Sequence, residues 1–157
     1  MATATLELEF ASQFPPEKAF KSFTHFDELA PKVIPHVFKS FDAIHGNGEV
    51  GTIKNITFGE AVPFTSGKYK VEAIDESNYT YSTSFFEGDN LYGILESINH
   101  HYKITPSANG GSVVKQTVTY KSKGDEKVSE EILKKEKEQY EGIYQAMEAF
   151  AAANPQA

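Results

Sequence analysis

Three groups of residues in this sequence have the types and spacing to do chemistry. The first is a glycine-spaced stretch, Gly46-Asn47-Gly48-Glu49-Val50-Gly51. Its glycines permit positive φ and close backbone approach, so neighbouring amides can cradle an anion. The stretch lacks the Gly-Lys-Ser/Thr ending of a nucleotide-binding P-loop, and it joins strand to strand instead of strand to helix. A tight turn is the favoured reading, and the carboxylate of Glu49 works against an anion. The second group is a set of polar side chains, Tyr81, Thr83, His100, Tyr102 and Gln116, which alternate with their neighbours at strand period. If that face is buried, each must find a partner, and a cavity with water or ligand would supply one. The third is Glu136. At about 100° per residue it falls in the middle of a helical apolar stripe, between Ile132 and Tyr140. It can be buried with a raised pKa, paired with His100 or a tyrosine hydroxyl, or placed against a ligand hydroxyl or amine. A bend or rotation of the helix would instead carry it to solvent.

Other chemistries are poorly served. There is no cysteine, which excludes disulfides, thiolate catalysis and cysteine zinc sites, and fits a reducing, cytoplasmic location. His100 and His101 are adjacent on a strand and point to opposite faces, while His25, His36 and His45 are scattered. None has a recognised ligand spacing, so no metal site is assigned. The net charge of −7 argues against nucleic acid, whose binding needs Lys or Arg on phosphates. Lys134, Lys135 and Lys137 sit among glutamates and read as a mixed solvated helix face. No run approaches the roughly 18 apolar residues of a membrane span, and the first residues do not read as a secretory signal.

The elements that must position these groups follow from periodicity. Leu6, Leu8 and Phe10 alternate with Glu7 and Glu9, which predicts a strand with one buried face. Pro15-Pro16-Glu17 opens a short helix, and residues 27–33 form a second short segment ended by Pro35. Strands are predicted over 37–45, 53–58, 68–74, 79–86, 95–105 and 112–121. Between them stand turn residues, among them Asp75-Glu76-Ser77-Asn78, Glu87-Gly88-Asp89-Asn90 and Asn109-Gly110-Gly111. Beyond Asp125 the period becomes helical. Val128, Ile132, Tyr140, Ile143, Met147 and Phe150 define one face of a long amphipathic helix over 128–152, closed by Asn154-Pro155. A sheet with one apolar face needs cover, and this helix is its only long cover. The chain therefore reads as one domain over 1–157, of α+β class, with a curved sheet gripping its last helix.

Gly46-Asn47-Gly48-Glu49-Val50-Gly51-Thr52-Ile53-Lys54 resembles the glycine-rich loop of plant pathogenesis-related class 10 proteins, the birch-pollen-allergen family. Pro31-Lys32-Val33, Glu87-Gly88-Asp89, Leu95-Glu96-Ser97-Ile98, Asn109-Gly110-Gly111-Ser112, Tyr120, Lys123-Gly124-Asp125 and Ala153-Asn154-Pro155 resemble the same family in order and spacing. The resemblance implies a helix-grip fold: a seven-stranded curved antiparallel sheet, two short helices in a V, and a long C-terminal helix over a cavity. It implies intracellular binding of phytohormones, flavonoids or other small hydrophobic or amphiphilic plant metabolites, an association with defence or stress, and allergenicity. A monomer without cofactor is expected.

By this resemblance the alternating faces look inward. They carry Ile56 and Phe58 with Lys54, then Tyr81, Thr83 and Phe85, then Ile98, His100 and Tyr102, and finally Gln116 and Val118. Phe23, Phe64, Tyr69 and Ile143 complete the implied lining, and Asp27 is expected to face Lys54 near the mouth. Small residues are usual in the family where Glu136 and Tyr140 stand, so the cavity should be reduced and more polar. Glycine is usual where Glu49 stands. Alternatives from the family are a biosynthetic enzyme of the condensation or isomerisation type, a hormone-dependent phosphatase inhibitor, and a ribonuclease. For the first, Glu136, His100, Tyr81 and Tyr102 are the acid–base candidates, and no catalytic residue is assigned. The ribonuclease activity is ascribed to Lys54, Glu96, Glu148 and a terminal tyrosine, which here is Phe150.

Overall fold

The computed structural model describes residues 2–154, so the expected closing role of Pro155 lies outside the described residues. The elements run β1 (Thr3–Ser12), α1 (Pro16–Thr24), α2 (Phe26–Val33), β2 (Phe38–His45), β3 (Ile53–Phe58) and β4 (Ser66–Asp75). They continue through β5 (Thr80–Gly88), β6 (Leu95–Pro106), β7 (Ser112–Ser122) and α3 (Glu130–Ala153).

All seven strands join one antiparallel sheet in the order β1-β7-β6-β5-β4-β3-β2. From β2 onward this is a meander, as the short polar turns between strands require. β1 instead pairs with β7, so the chain must travel from one sheet edge to the other between β1 and β2. The two short helices α1 and α2 make that passage. α1 starts on Pro16, whose missing N–H costs nothing in a first helical turn, and it buries Ala19 and Phe20. Phe20 meets Tyr79 edge-on at 5.6 Å.

The sheet is bent by irregularities in its ladders. Register shifts fall between Lys68 and Tyr69, between Val71 and Ala73, and between Leu95 and Ser97, with two more in β2. An extra residue on one strand increases local twist and bends it. The bends turn the sheet's inner face around α3.

α3 is capped by Ser129, whose Oγ accepts the Ile132 N–H at 3.2 Å. The apolar pattern had suggested a start at 128, but Val128 precedes the cap and is buried against the sheet instead. The single buried residue of α3 is Glu136. Tyr140, Ile143, Tyr144 and Met147 are only half-buried although they face inward. The reason is that most of the helix covers an open space.

The solid core is correspondingly split. One cluster holds Leu8, Leu91, Leu95, Ile98, Val118, Tyr120 and Val128, with Ile132 and Leu133 of α3 packed on it. The other holds Ala19, Phe20, Val71, Tyr81, Ile104 and Val114. Among the described residues no helix is long and apolar enough to cross a membrane.

Candidate functional site

A cavity of about 1360 Å³ lies between the sheet, the two short helices and α3. It exceeds the usual ~300–1,000 Å³ of small-molecule sites because it also reaches the surface past the exposed Lys21, Glu28 and Glu49. The insertion of Glu136 and Tyr140 therefore leaves ample space.

Strand alternation delivers the wall. β3 contributes Lys54, Ile56 and Phe58, β4 contributes Tyr69, and β5 contributes Tyr81, Thr83 and Phe85. β6 contributes Ile98, His100 and Tyr102, and β7 contributes Gln116. Phe23 and Asp27 close one side, Phe64 comes from the β3–β4 connection, and Glu136, Tyr140 and Ile143 come from α3. Val118 is the exception. Its strand face is inward as expected, but it sits where the first turns of α3 rest directly on the sheet, and it is fully buried in the solid cluster with Tyr120 and Ile98.

The glycine loop borders the space through Gly46 and Gly48, whereas Gly51 is not on the wall. Three of its amides already have acceptors. Asn47 N–H donates to Glu49 Oε2 at 2.9 Å, Gly48 N–H to Thr52 Oγ1 at 2.8 Å, and Gly51 N–H to the Val71 carbonyl at 2.8 Å. Hydrogen bonds from its own amide and from the Asn47 amide hold the Glu49 carboxyl below its ordinary range. Glycine is required at 46, with φ of +87° and Thr52 Oγ1 only 2.5 Å from where a Cβ would stand. The loop is a self-satisfied turn.

The polar groups of the wall form three assemblies. Gln116 Nε2 lies 3.0 Å from His100 Nδ1 and 3.4 Å from the Tyr102 hydroxyl. Burial lowers the His100 pKa to about 4, so the ring is neutral at physiological pH. With Gln116 as donor, its proton resides on Nε2. Asp27 and Lys54 form an ion pair with both side chains largely covered. Burial first, and the Asp27 charge second, raise the Tyr81 hydroxyl to about 12. The third assembly surrounds Glu136. Tyr120 and Tyr140 donate to Oε1 at 2.8 and 2.9 Å, and Tyr92 donates to Oε2 at 2.9 Å. Burial first, and the Glu136 charge second, push all three phenols well above their ordinary range. They stay protonated and act as donors.

Three groups of lining residues lack a protein partner. Gln116 Oε1 and the Tyr144 hydroxyl are buried without a hydrogen bond, as is Asn90 Oδ1 at one end of the space. Tyr144 stacks on Phe10 at 3.7 Å between centroids. It escaped the sequence reading, although it stands four residues after Tyr140 and so on the same helix face. Phe26, Phe38 and Phe41 were also missed; they line the mouth in edge-on and tilted contacts. Tyr92 carried no sequence signal. It follows the single turn Asp89–Leu91 in the β5–β6 connection, with φ of +58°.

The residues linked to ribonuclease activity point apart. Glu96 pairs with Lys121 at 3.7 Å on the outer face, while Lys54 is engaged by Asp27 inside. Glu148 accepts from Ser12 Oγ at 3.1 Å and from the Gln13 N–H at 2.7 Å. Among the described residues no group of three or more His, Asp or Glu side chains is placed to hold a metal ion.

A curved sheet gripping a long helix over an aromatic, sparsely polar cavity defines the helix-grip class. Residues 1–153 match the Pathogenesis-related protein Bet v 1 family, and the chain belongs to that family. A root allergen protein of Taraxacum officinale is 46% identical over 155 residues, covering 98% of this chain and 99% of that one. The crystal structure of Ara h 8.0201 superposes with a TM-score of 0.85 at 35% identity, over 97% of this chain and 99% of that one. Norcoclaurine synthase from Thalictrum flavum matches at a TM-score of 0.66 and 21% identity, over 76% of this chain and 69% of that one, which is a likeness of fold alone.

Proposed function

We propose that this protein binds a small hydrophobic or amphiphilic plant metabolite in the space beneath α3, as a carrier or store associated with defence or stress. The observation that carries this reading is the wall itself: a large, mostly apolar cavity rich in aromatic rings, with a few polar side chains, among them His100, Gln116 and Glu136, placed in it. An apolar pocket with a few placed polar groups is the usual form of a small-molecule site.

Binding accounts for the wall better than acid–base catalysis does. A general acid or base works best with a pKa near the operating pH. His100 is held down near 4, and the phenols of the wall are held above their ordinary range. These groups are built to keep their protons fixed, which suits recognition.

Titration with anilinonaphthalene sulfonate, followed by competition with cytokinins, flavonoids and abscisic acid, tests the proposal. Saturable binding in the micromolar range, displaced by one ligand class and weakened by Ile143→Trp, is the expected result. Failure of the folded protein to bind any of these compounds would remove the proposal.

A further inference from the structure

Glu136 is the only buried acid among the described residues, 5% exposed, and it faces the cavity. Three hydroxyls serve it, yet its bonding is incomplete. An ionised carboxylate offers about four acceptor positions. Oε1 takes Tyr120 and Tyr140, whereas Oε2 takes Tyr92 alone. One acceptor position on Oε2 is left over.

Its charge is also unbalanced. Phenols solvate an anion but do not cancel it. Among the described residues Glu136 has no ion pair, and Lys54 on the cavity wall is committed to Asp27. His100, which meets Tyr140 edge-on at 5.4 Å, is neutral. A buried charge without a counter-charge is costly. Aromatic rings crowd the same region: Phe85 against His100 at 5.8 Å, and Phe64 against Tyr92 at 5.2 Å. Ring faces attract cations. Toward the surface the wall is acidic as well, with Glu28, Glu49, Glu76 and Glu148 against Lys18 and Lys21.

We propose that Glu136 is a cation anchor, and that the cavity selects amphiphilic molecules carrying a protonated amine. The ammonium donates to the open position on Oε2 and supplies the missing positive charge. The apolar body of the molecule lies against Phe85, Ile98 and Phe23. A neutral hydroxyl can use the same acceptor position but leaves the charge uncompensated, so amines are preferred over matched alcohols. This inference rests on the carrier reading and narrows its ligand class.

The test is calorimetric titration of the wild-type protein and Glu136→Gln with 2-(2-naphthyl)ethylamine, 2-(2-naphthyl)ethanol and 2-naphthylacetate. In the wild type the amine should bind tighter than the alcohol by roughly tenfold or more, with the acid weakest. In Glu136→Gln, checked for native circular dichroism, amine and alcohol should converge to within about threefold while alcohol affinity is preserved. Equal wild-type binding of amine and alcohol would overturn the anchor and leave the carrier reading intact. Absence of binding by all three, together with absence of binding by anilinonaphthalene sulfonate, would overturn both. The wild-type comparison decides the matter even if Glu136→Gln fails to fold.

Discussion

Tyr120→Phe is the sharpest probe of the buried carboxylate cluster. Tyr120 is 0% exposed, and its hydroxyl donates to Glu136 Oε1 at 2.8 Å. The substitution keeps the ring and removes one donor from Oε1 at a fully buried position, where water cannot readily take the place of the hydroxyl. A hydrogen bond to a charged group contributes about 1.5–3 kcal/mol, and the burial here places the expected loss in the upper half, about 2–3 kcal/mol. Tyr92→Phe removes a donor of similar length from Oε2, but Tyr92 is half-buried and water can replace its hydroxyl. Its cost should be about 0.5–1 kcal/mol. For a chain of 157 residues these losses translate into melting shifts of roughly 5–10 °C and 1–4 °C. Urea unfolding followed by far-ultraviolet circular dichroism measures both, with a lowered midpoint and unchanged slope as the signature of lost stability. In a double-mutant cycle with Glu136→Gln, the two sites should couple by about 1 kcal/mol or more. A Tyr120→Phe cost below about 0.5 kcal/mol, or strict additivity with Glu136→Gln, would refute the reasoning.

Two further outcomes concern pH and backbone. His100 has its pKa depressed from 6.5 to about 4 by burial, so between these values the unfolded chain binds the extra proton and stability falls as pH drops. The loss should reach about 3 kcal/mol by pH 4, and His100→Gln should flatten urea-midpoint profiles across that window. Asp75, held at about 2 by hydrogen bonds from Ser77 and Asn78, loses its contribution only from about pH 3.8 downward, beneath that window. Gly88→Ala should destabilise by at least about 2 kcal/mol in the same unfolding assay. Gly88 has φ of +135°, and a Cβ there would lie 2.4 Å from the Ser66 carbonyl oxygen and 2.6 Å from Gly67 Cα. A wild-type midpoint for that variant would mean that β4 and β5 pair differently at Gly67 and Gly88.

The element order was legible because each element carries its own period. Alternation in Leu6-Glu7-Leu8 and its successors located strands, and the switch to helical spacing after Asp125 located α3. Strand ends drifted by one or two residues, since terminal ladder bonds depend on the partner strand: β1 extends to Thr3–Ser12 because β7 is there to pair with it. Alternation sorted the strand residues into faces and the family resemblance set which face looks inward; the expected wall residues of β3 to β6 converge on one cavity. It could not distinguish Gln116 from Val118, two residues apart on the same face of β7. One borders open space and the other lies under the first turns of α3. That difference depends on where the helix touches the sheet, a distance that periodicity does not contain.

Glu136 marks the same division. Its place on the apolar face of a helix followed from the sequence, because helical angle is a local property. Helical angle does not say whether it reaches solvent or stays inside. The tertiary structure decided it by bringing Tyr92 from a loop, Tyr120 from β7 and Tyr140 from the next helical turn within hydrogen-bond reach. Separations of 44, 16 and 4 residues along the chain become one cluster of oxygens. The sequence alone therefore determined the class of fold, the sorting of strand residues into faces and the presence of an unusual carboxylate. Only the packing of loop, sheet and helix determined its partners, because hydrogen bonds between distant residues form at positions that no local pattern specifies.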